Sequence, residues 1–236
     1  MMKQFFTQMR WQFLILHKNN LINISIGITV IYGLLFYAIK DLGDLSKLLT
    51  LLIYNDPALI GLLFIGLAFI VEKNQGVTSA LQVLPYNPHI QLLARMLCLS
   101  LIGWVCALGM TLPVMHFDFN VGWFSLGVLS VCLIFSTMGI WVLSYSSEFL
   151  VFLLKSIPIL LLSSAPFLNY FEVTNVWWLS LSPINGSLNL ISHAFQPHLS
   201  TEAIALNIAV CIGWFSLLYY FSSKTFIKRF LHAAAH

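Results

Sequence analysis

Residues 122–143 read GWFSLGVLSVCLIFSTMGIWVL, an apolar run that contains no charged side chain. About 20 such residues suffice to carry a helix across the hydrocarbon core of a bilayer. Other stretches of the chain meet the same criterion, and together the predicted spans are 21–39, 50–71, 92–115, 122–143, 149–168 and 203–222. The predicted fold class is therefore an all-α polytopic membrane protein with six transmembrane helices.

The composition of the whole chain supports this class. The 236 residues are 59% hydrophobic, 14% aromatic and only 8% charged, against about 25% charged residues in soluble domains. So few charges cannot shield that much apolar surface from water, and lipid is the expected solvent. The net charge of +3 comes from scattered basic residues, which argues against nucleic acid as a partner. Cys98, Cys106, Cys132 and Cys211 lie in apolar runs, and we expect buried thiols.

The distribution of basic residues predicts the orientation. Cytoplasmic loops carry an excess of Lys and Arg. With both termini in the cytoplasm, nine basic residues lie in or near that side and only Lys40 and Lys47 lie outside. The nine are Lys3, Arg10, Lys18, Lys73, Arg95, Lys155, Lys224, Lys228 and Arg229. We expect a multi-pass protein of the plasma membrane, the bacterial inner membrane, with a cytoplasmic tail over 223–236.

Two segments outside the spans have apolar patterns that predict contact with the membrane. In segment 1–19, Phe5, Met9, Phe13 and Leu16 share one helical face, which predicts an amphipathic helix lying in the membrane interface. The alternative is a plain cytoplasmic start to the first span. The outer segment 169–202 is rich in apolar residues, and we expect two short re-entrant-like helices that are split near 183–186.

Three residues within the spans are candidates for the substrate path or for a structural role. Asp56 precedes Pro57, which predicts a helix N-cap at Asp56; in an unbroken helix Asp56 would instead need a partner in the membrane. Lys155 either snorkels to the inner interface or faces an internal cavity, where it could pair with Glu148. Pro158, less than a turn later, predicts a kink in the fifth span.

The inner segment 72–91 is the most distinctive part of the sequence. Glu72 and Lys73 end the second span, either orienting the turn or forming a solvated pair, and Gly76 permits a sharp change of direction. A short helix should follow until Pro85 and Pro88 redirect the chain. Its apolar face consists of Val77, Ala80, Leu81 and Leu84. Such a helix suits a groove on a cytoplasmic partner; the alternative is contact with lipid headgroups alone.

This order of elements resembles the ABC-2 permeases, the membrane subunits of type V ABC exporters. The stretch from Asp56-Pro57 through Gly61, Gly66 and Glu72-Lys73-Asn74-Gln75-Gly76 to Leu84-Pro85 is similar to bacterial permeases of the drug-export and fluoroquinolone-export type. The resemblance implies one permease domain over 1–236, paired with a second copy or a paralogue above two copies of an ATPase. It makes 76–84 the coupling helix and assigns ATP and Mg to the ATPase, with no cofactor in this chain.

The sequence also indicates whether this chain could bind a nucleotide or perform catalysis itself. The spacing from Gly61 to Gly66 lacks the Lys of a phosphate-binding loop and lies within a span, so these glycines are expected to allow close helix packing. No catalytic or metal-binding constellation is evident, which argues against a membrane enzyme. The predicted function is an ATP-driven export permease for an amphipathic small molecule, drug or lipid-like substrate. The alternatives are a haem-exporter-type permease of cytochrome maturation and an ion-coupled secondary transporter.

Overall fold

The computed structural model describes residues 2–39, 46–76, 87–146, 148–174, 176–197 and 199–231. All secondary structure in these ranges is helical. Within these described ranges, six helices are long and apolar enough to cross a membrane, which agrees with the predicted number: Leu21–Ala38, Ser46–Asn74, Pro88–Met115, Val121–Leu143, Phe149–Tyr170 and Thr201–Arg229. The chain therefore has the helices of a multi-pass membrane protein.

The helices are numbered in chain order. The first are α1 (Met2–Lys18), α2 (Leu21–Ile39), α3 (Ser46–Asn74), α4 (Pro88–Met115) and α5 (Val121–Leu143). They are followed by α6 (Phe149–Ser163), α7 (Pro166–Tyr170), a 3₁₀ helix (Trp177–Leu181), α8 (Asn185–Phe195) and α9 (Thr201–Phe226), which continues as a π-helical turn over Ile227–Leu231.

Local capping explains where several of these helices begin. The Asn120 side chain accepts hydrogen bonds from the backbone N–H groups of Gly122 (3.0 Å) and Trp123 (3.2 Å) at the start of α5. The Asn87 side chain accepts one from His89 N (3.0 Å) at the start of α4. Side-chain oxygens at this position satisfy N–H groups that have no partner within the helix.

The structure corrects the prediction for Asp56. Helix α3 runs from Ser46 to Asn74 with Pro57 inside it, so Asp56 is not an N-cap. A π-helical turn at Ile60–Phe64 follows the proline within the same helix. In lipid, an interrupted backbone would expose several polar groups, whereas Pro57 removes only one hydrogen bond; the helix therefore continues.

Helix α5 lies at the centre of the bundle, packed against α3, α4, α8 and α9. A Cβ atom built at Gly61 of α3 would lie 2.5 Å from the carbonyl oxygen of Cys132 in α5. At Gly66, an added Cβ would lie 2.2 Å from the Phe152 ring of α6. Both glycines therefore allow close helix packing, as predicted. Few residues of the α6 and α9 spans are buried inside the bundle, 22% and 11% of their most apolar windows, as expected for helices that face lipid.

The 169–202 segment folds against the bundle. It contains the predicted pair of short helices, the 3₁₀ helix and α8, with the break at 182–184. Helix α8 packs against α5 and α9. The Trp214 indole N–H, halfway along α9, donates to the Leu181 carbonyl oxygen at 2.9 Å. The position of this segment in the bilayer remains a prediction.

The two ends of the bundle differ in charge. The basic end, defined here as residues 72–76, 87–95, 144–146 and 227–231, carries Lys73, Arg95, Lys228 and Arg229. At the opposite end, Lys47 forms an exposed ion pair with Glu172 at 3.2 Å. This asymmetry follows the pattern on which the predicted orientation rests.

Candidate functional site

Arg95 is the largest fully buried side chain among the described residues, it carries a charge, and it lies at the basic end of α4. Its Nε donates to Gln12 Oε1 of α1 at 2.8 Å, and its Nη2 donates to Glu72 Oε1 of α3. Its Cζ lies 3.8 Å from the centroid of the Phe69 ring. A buried charge is tolerated only when it is paired and hydrogen-bonded. We call Gln12, Phe69, Glu72 and Arg95 the Arg95 network.

The helical spacing of the sequence builds this network. Phe69 and Glu72 are three residues apart and therefore share a face of α3 in its last turns. Phe69 also packs on Phe226 of α9, with 4.9 Å between ring centroids. The network thus joins α1, α3, α4 and α9 at the basic end.

Helix α1 packs on the bundle through Gln12 and Leu16. Both have an exposure of 0%, whereas Phe13 on the predicted apolar face is 36% exposed. The Cys98 thiol of α4 adds a contact with the backbone oxygen of Met9 at 3.4 Å. A polar residue can occupy the packed face because its amide oxygen accepts from a charged donor. The interfacial position of α1 remains a prediction.

Of the predicted coupling residues, the structure describes Glu72, Lys73 and Gly76. Glu72 is only 3% exposed and bound to Arg95, so the solvated-pair alternative is wrong for Glu72. Lys73 is exposed. Gly76 has φ +71°, in the left-handed region that favours glycine, which confirms the predicted turn. Val77, Ala80, Leu81 and Leu84 lie outside the described residues.

Snorkelling of Lys155 stays a prediction, and the structure shows only what the side chain contacts. Its Nζ donates to the backbone carbonyl oxygen of Tyr145, in the connection between α5 and α6, and its side chain is exposed. Among the described residues, this hydrogen bond is made to Tyr145, and no ion pair joins Lys155 to Glu148. Pro158 is exposed on α6, which continues to Ser163. Asp56 is half-buried inside α3, and its role in a substrate path stays a prediction.

Two donors of the Arg95 network have no hydrogen-bond partner among the described residues. They are Arg95 Nη1 and Gln12 Nε2, and both are buried. An unpaired buried donor costs about 1–3 kcal/mol. The network is therefore held by few contacts, so the loss of any one of them should be measurable.

The described residues contain no cluster of three or more His, Cys, Asp or Glu side chains that could hold a metal ion. Cys98, Cys106, Cys132 and Cys211 are free and buried, as the sequence predicted.

The sequence reasoning missed Gln12 and Arg95 as a pair. They are 83 residues apart, and Arg95 is separated from Glu72 by 23 residues. One signal was available: Arg95 is a lone charge in an apolar helix, where a charged side chain needs a partner. No known protein-family model matches the chain, and no curated protein matches it.

Proposed function

We propose that this chain is the membrane permease subunit of an ATP-driven exporter. It would move an amphipathic small molecule, drug or lipid-like substrate while a separate ATPase supplies the energy. The proposal rests on the resemblance of the sequence to ABC-2 permeases and on the six helices of membrane-spanning length. The single observation that supports it best is the position of the Arg95 network.

The Arg95 network ties together both ends of the proposed coupling segment. The chain leaves α3 just after Glu72 and Gly76, and it enters α4 at Pro88, two turns before Arg95. The Glu72–Arg95 ion pair therefore joins the two helices that flank 77–86, and Gln12 adds α1 to the same unit. A force applied to this segment by a partner would act on three helices together, as rigid-body transitions require.

The proposed assembly contains two ATPase subunits and a second permease, which is either another copy or a paralogue. ATP and Mg would bind to the ATPases, and this chain would perform no catalysis. We propose a location in the bacterial inner membrane with both termini in the cytoplasm. The basic end would then face the ATPases, in agreement with the positive-inside rule.

One structural observation favours a second candidate. A buried Glu and Arg in membrane-spanning helices is a feature of ion-coupled secondary transporters. Such coupling sites lie near the middle of the bilayer. In contrast, Glu72 lies in the last turn of α3, and Arg95 lies two turns after the start of α4. The exporter is therefore our preferred function. A haem-exporter-type permease is an exporter with another substrate.

Substitution of Leu81 tests the exporter directly. We expect Leu81→Asp to leave membrane insertion intact and to abolish co-purification of the ATPase, because a charge would enter an apolar groove. The matched control is Val173→Asp, which places the same charge on a side chain that is 68% exposed at the opposite end. The ATPase is recognised by mass spectrometry through its phosphate-binding sequence G-x-x-x-x-G-K-[ST].

The two variants give distinct results. If both retain the ATPase, 77–86 is not the coupling element. If no ATPase accompanies the wild-type chain from native membranes, and purified chain alone transports substrate along an ion gradient, the secondary transporter replaces the exporter.

A further inference from the structure

A long apolar groove runs along α5 between α6 and α9. Its wider part has a volume of about 600 Å³ and is lined by Ile159, Leu162, Pro183 and Trp214, among others. A narrower part of about 370 Å³ lies between α5 and α9, with Phe221 and Thr225 in its wall. The two parts share Met138, Trp141 and Leu218. They form one continuous surface, the α5–α9 groove, that leads toward the basic end.

The hydrogen-bonding groups of the groove wall are largely satisfied within the protein. The Trp214 indole N–H donates to the Leu181 carbonyl oxygen at 2.9 Å. The Thr225 hydroxyl donates to the Phe221 carbonyl oxygen at 2.8 Å, and the Thr137 hydroxyl donates within α5 at 2.6 Å. With these groups bonded to backbone, the wall offers a ligand mainly apolar contact. Such a wall suits a hydrocarbon chain.

Two cations lie where the groove reaches the basic end, and both contact Tyr145. The Arg229 guanidinium lies 4.3 Å from the centroid of the Tyr145 ring, and Lys155 donates to the Tyr145 carbonyl oxygen. Neither takes part in the ion pairs found among the described residues. Both side chains are exposed and can therefore receive an anion.

Helix geometry explains why the cations and the groove coincide. Lys155 lies four positions from the groove residue Ile159 in α6, and Arg229 lies four positions from the groove residue Thr225 where α9 continues into its π-helical turn. Residues four apart share a helical face. The ring centroids of Trp141 and Tyr145 are 5.8 Å apart, which makes the surface continuous between the groove and the cations.

We propose that the α5–α9 groove is a binding site for one anionic phospholipid. An acyl chain would lie along the groove, and the phosphate would bind Lys155 and Arg229. All phospholipids have acyl chains, so the preference for an anionic lipid comes from the two cations. Arg suits phosphate because it can donate two parallel hydrogen bonds. This site does not rest on the exporter function and could be present in a transporter of another class.

The site can be tested with the purified full-length chain by native mass spectrometry. The probes are phosphatidylglycerol, which is anionic, and phosphatidylcholine with the same acyl chains, which is zwitterionic. The wild-type chain should bind one phosphatidylglycerol more tightly than phosphatidylcholine. Lys155→Gln and Arg229→Gln should each weaken phosphatidylglycerol binding about 5-fold, and together about 25-fold, the factor that corresponds to about 1 kcal/mol per basic residue near the membrane surface.

The matched control removes two other cations from the same end of the bundle. Lys224 and Lys228 lie beside a separate surface depression that also contains His89 and Tyr220. Replacement of both lysines by Gln should change phosphatidylglycerol binding by less than 2-fold. If this control weakens binding as much as the Lys155 and Arg229 pair does, the attraction is a general effect of charge and the proposed site is wrong.

The acyl chain requires its own test. Leu218→Trp should fill the part shared by the two cavities and reduce phosphatidylglycerol binding without changing the charge. Its thermal unfolding in phosphatidylcholine reports whether the variant is folded. Independently of that variant, glycerol phosphate, which has the headgroup chemistry but no chain, should not displace the lipid. Unchanged binding by a folded Leu218→Trp, or displacement by glycerol phosphate, would overturn the proposal.

Discussion

Removal of the Glu72 carboxylate should be among the most damaging single changes at the basic end. In Glu72→Gln, the Arg95 guanidinium remains fully buried without a counter-charge, and only neutral groups contact it: the new amide oxygen, Gln12 Oε1 at 2.8 Å and the Phe69 ring. Loss of one partner of a buried ion pair costs about 3–5 kcal/mol. Because a denatured chain in micelles also finds polar partners, we expect the lower end of that range.

A double-mutant cycle separates the ion pair from the rest of the site. Arg95→Met leaves the Glu72 carboxylate unpaired and should cost as much as Glu72→Gln. Glu72→Leu combined with Arg95→Met leaves no charge and retains the packing volume, so it should cost at least about 2 kcal/mol less than the sum of the corresponding single changes. The double variant loses the ion pair, the hydrogen bond to Gln12 and the cation–π contact with Phe69, but it leaves no buried charge unpaired.

Reversible unfolding in mixed micelles, followed by circular dichroism, gives the free energies of unfolding. The control is Glu172→Gln at the opposite end, where the exposed ion pair with Lys47 has side-chain exposures of 82% for Glu172 and 56% for Lys47. An exposed pair contributes about 0–1 kcal/mol. Equal costs for Glu72→Gln and Glu172→Gln, or strictly additive costs in the cycle, would refute the reasoning.

Two further substitutions test helix packing. Gly61→Ala should lower the free energy of unfolding by about 1–3 kcal/mol, the usual cost of overpacking, because its Cβ would lie 2.5 Å from the Cys132 carbonyl oxygen. The control is Gly213→Ala, whose Cβ would have no neighbour within 4 Å and should not lower the free energy of unfolding. Equal effects would contradict the close approach. Trp214→Phe removes the 2.9 Å hydrogen bond to the Leu181 carbonyl oxygen and should lower the free energy of unfolding by about 0.5–1.5 kcal/mol. It should also increase proteolysis within 177–184. Unchanged proteolysis would mean that this bond does not hold the segment.

Local sequence patterns predicted a large part of the fold. The ends of the predicted spans differ from the observed helices by a few residues, as for 92–115 against Pro88–Met115 and 122–143 against Val121–Leu143. This accuracy has a simple cause: backbone polar groups in lipid must be satisfied within the helix, so an apolar run of sufficient length becomes a helix without help from distant residues. The Gly76 turn is also local, since it depends on one φ angle.

The prediction failed where a local signal competed with the environment. Asp56-Pro57 is a strong helix start in water, but in a long apolar run the helix continues through it to Asn74. On α1, the sequence analysis did not predict that the polar Gln12 is fully buried. The reason lies on α4, because only the buried Arg95 supplies the donor that makes a buried amide favourable.

The sequence by itself determined that the chain forms six apolar helices, roughly which residues each one contains, and which end of the bundle is basic. These properties depend on hydrophobicity and charge summed over neighbouring residues. Only the tertiary structure decided that Gln12, Glu72 and Arg95 meet, and that Lys155 and Arg229 share Tyr145 at one end of an apolar groove. Such contacts join residues that are tens of positions apart, and helix spacing alone cannot specify which faces of which helices pack together.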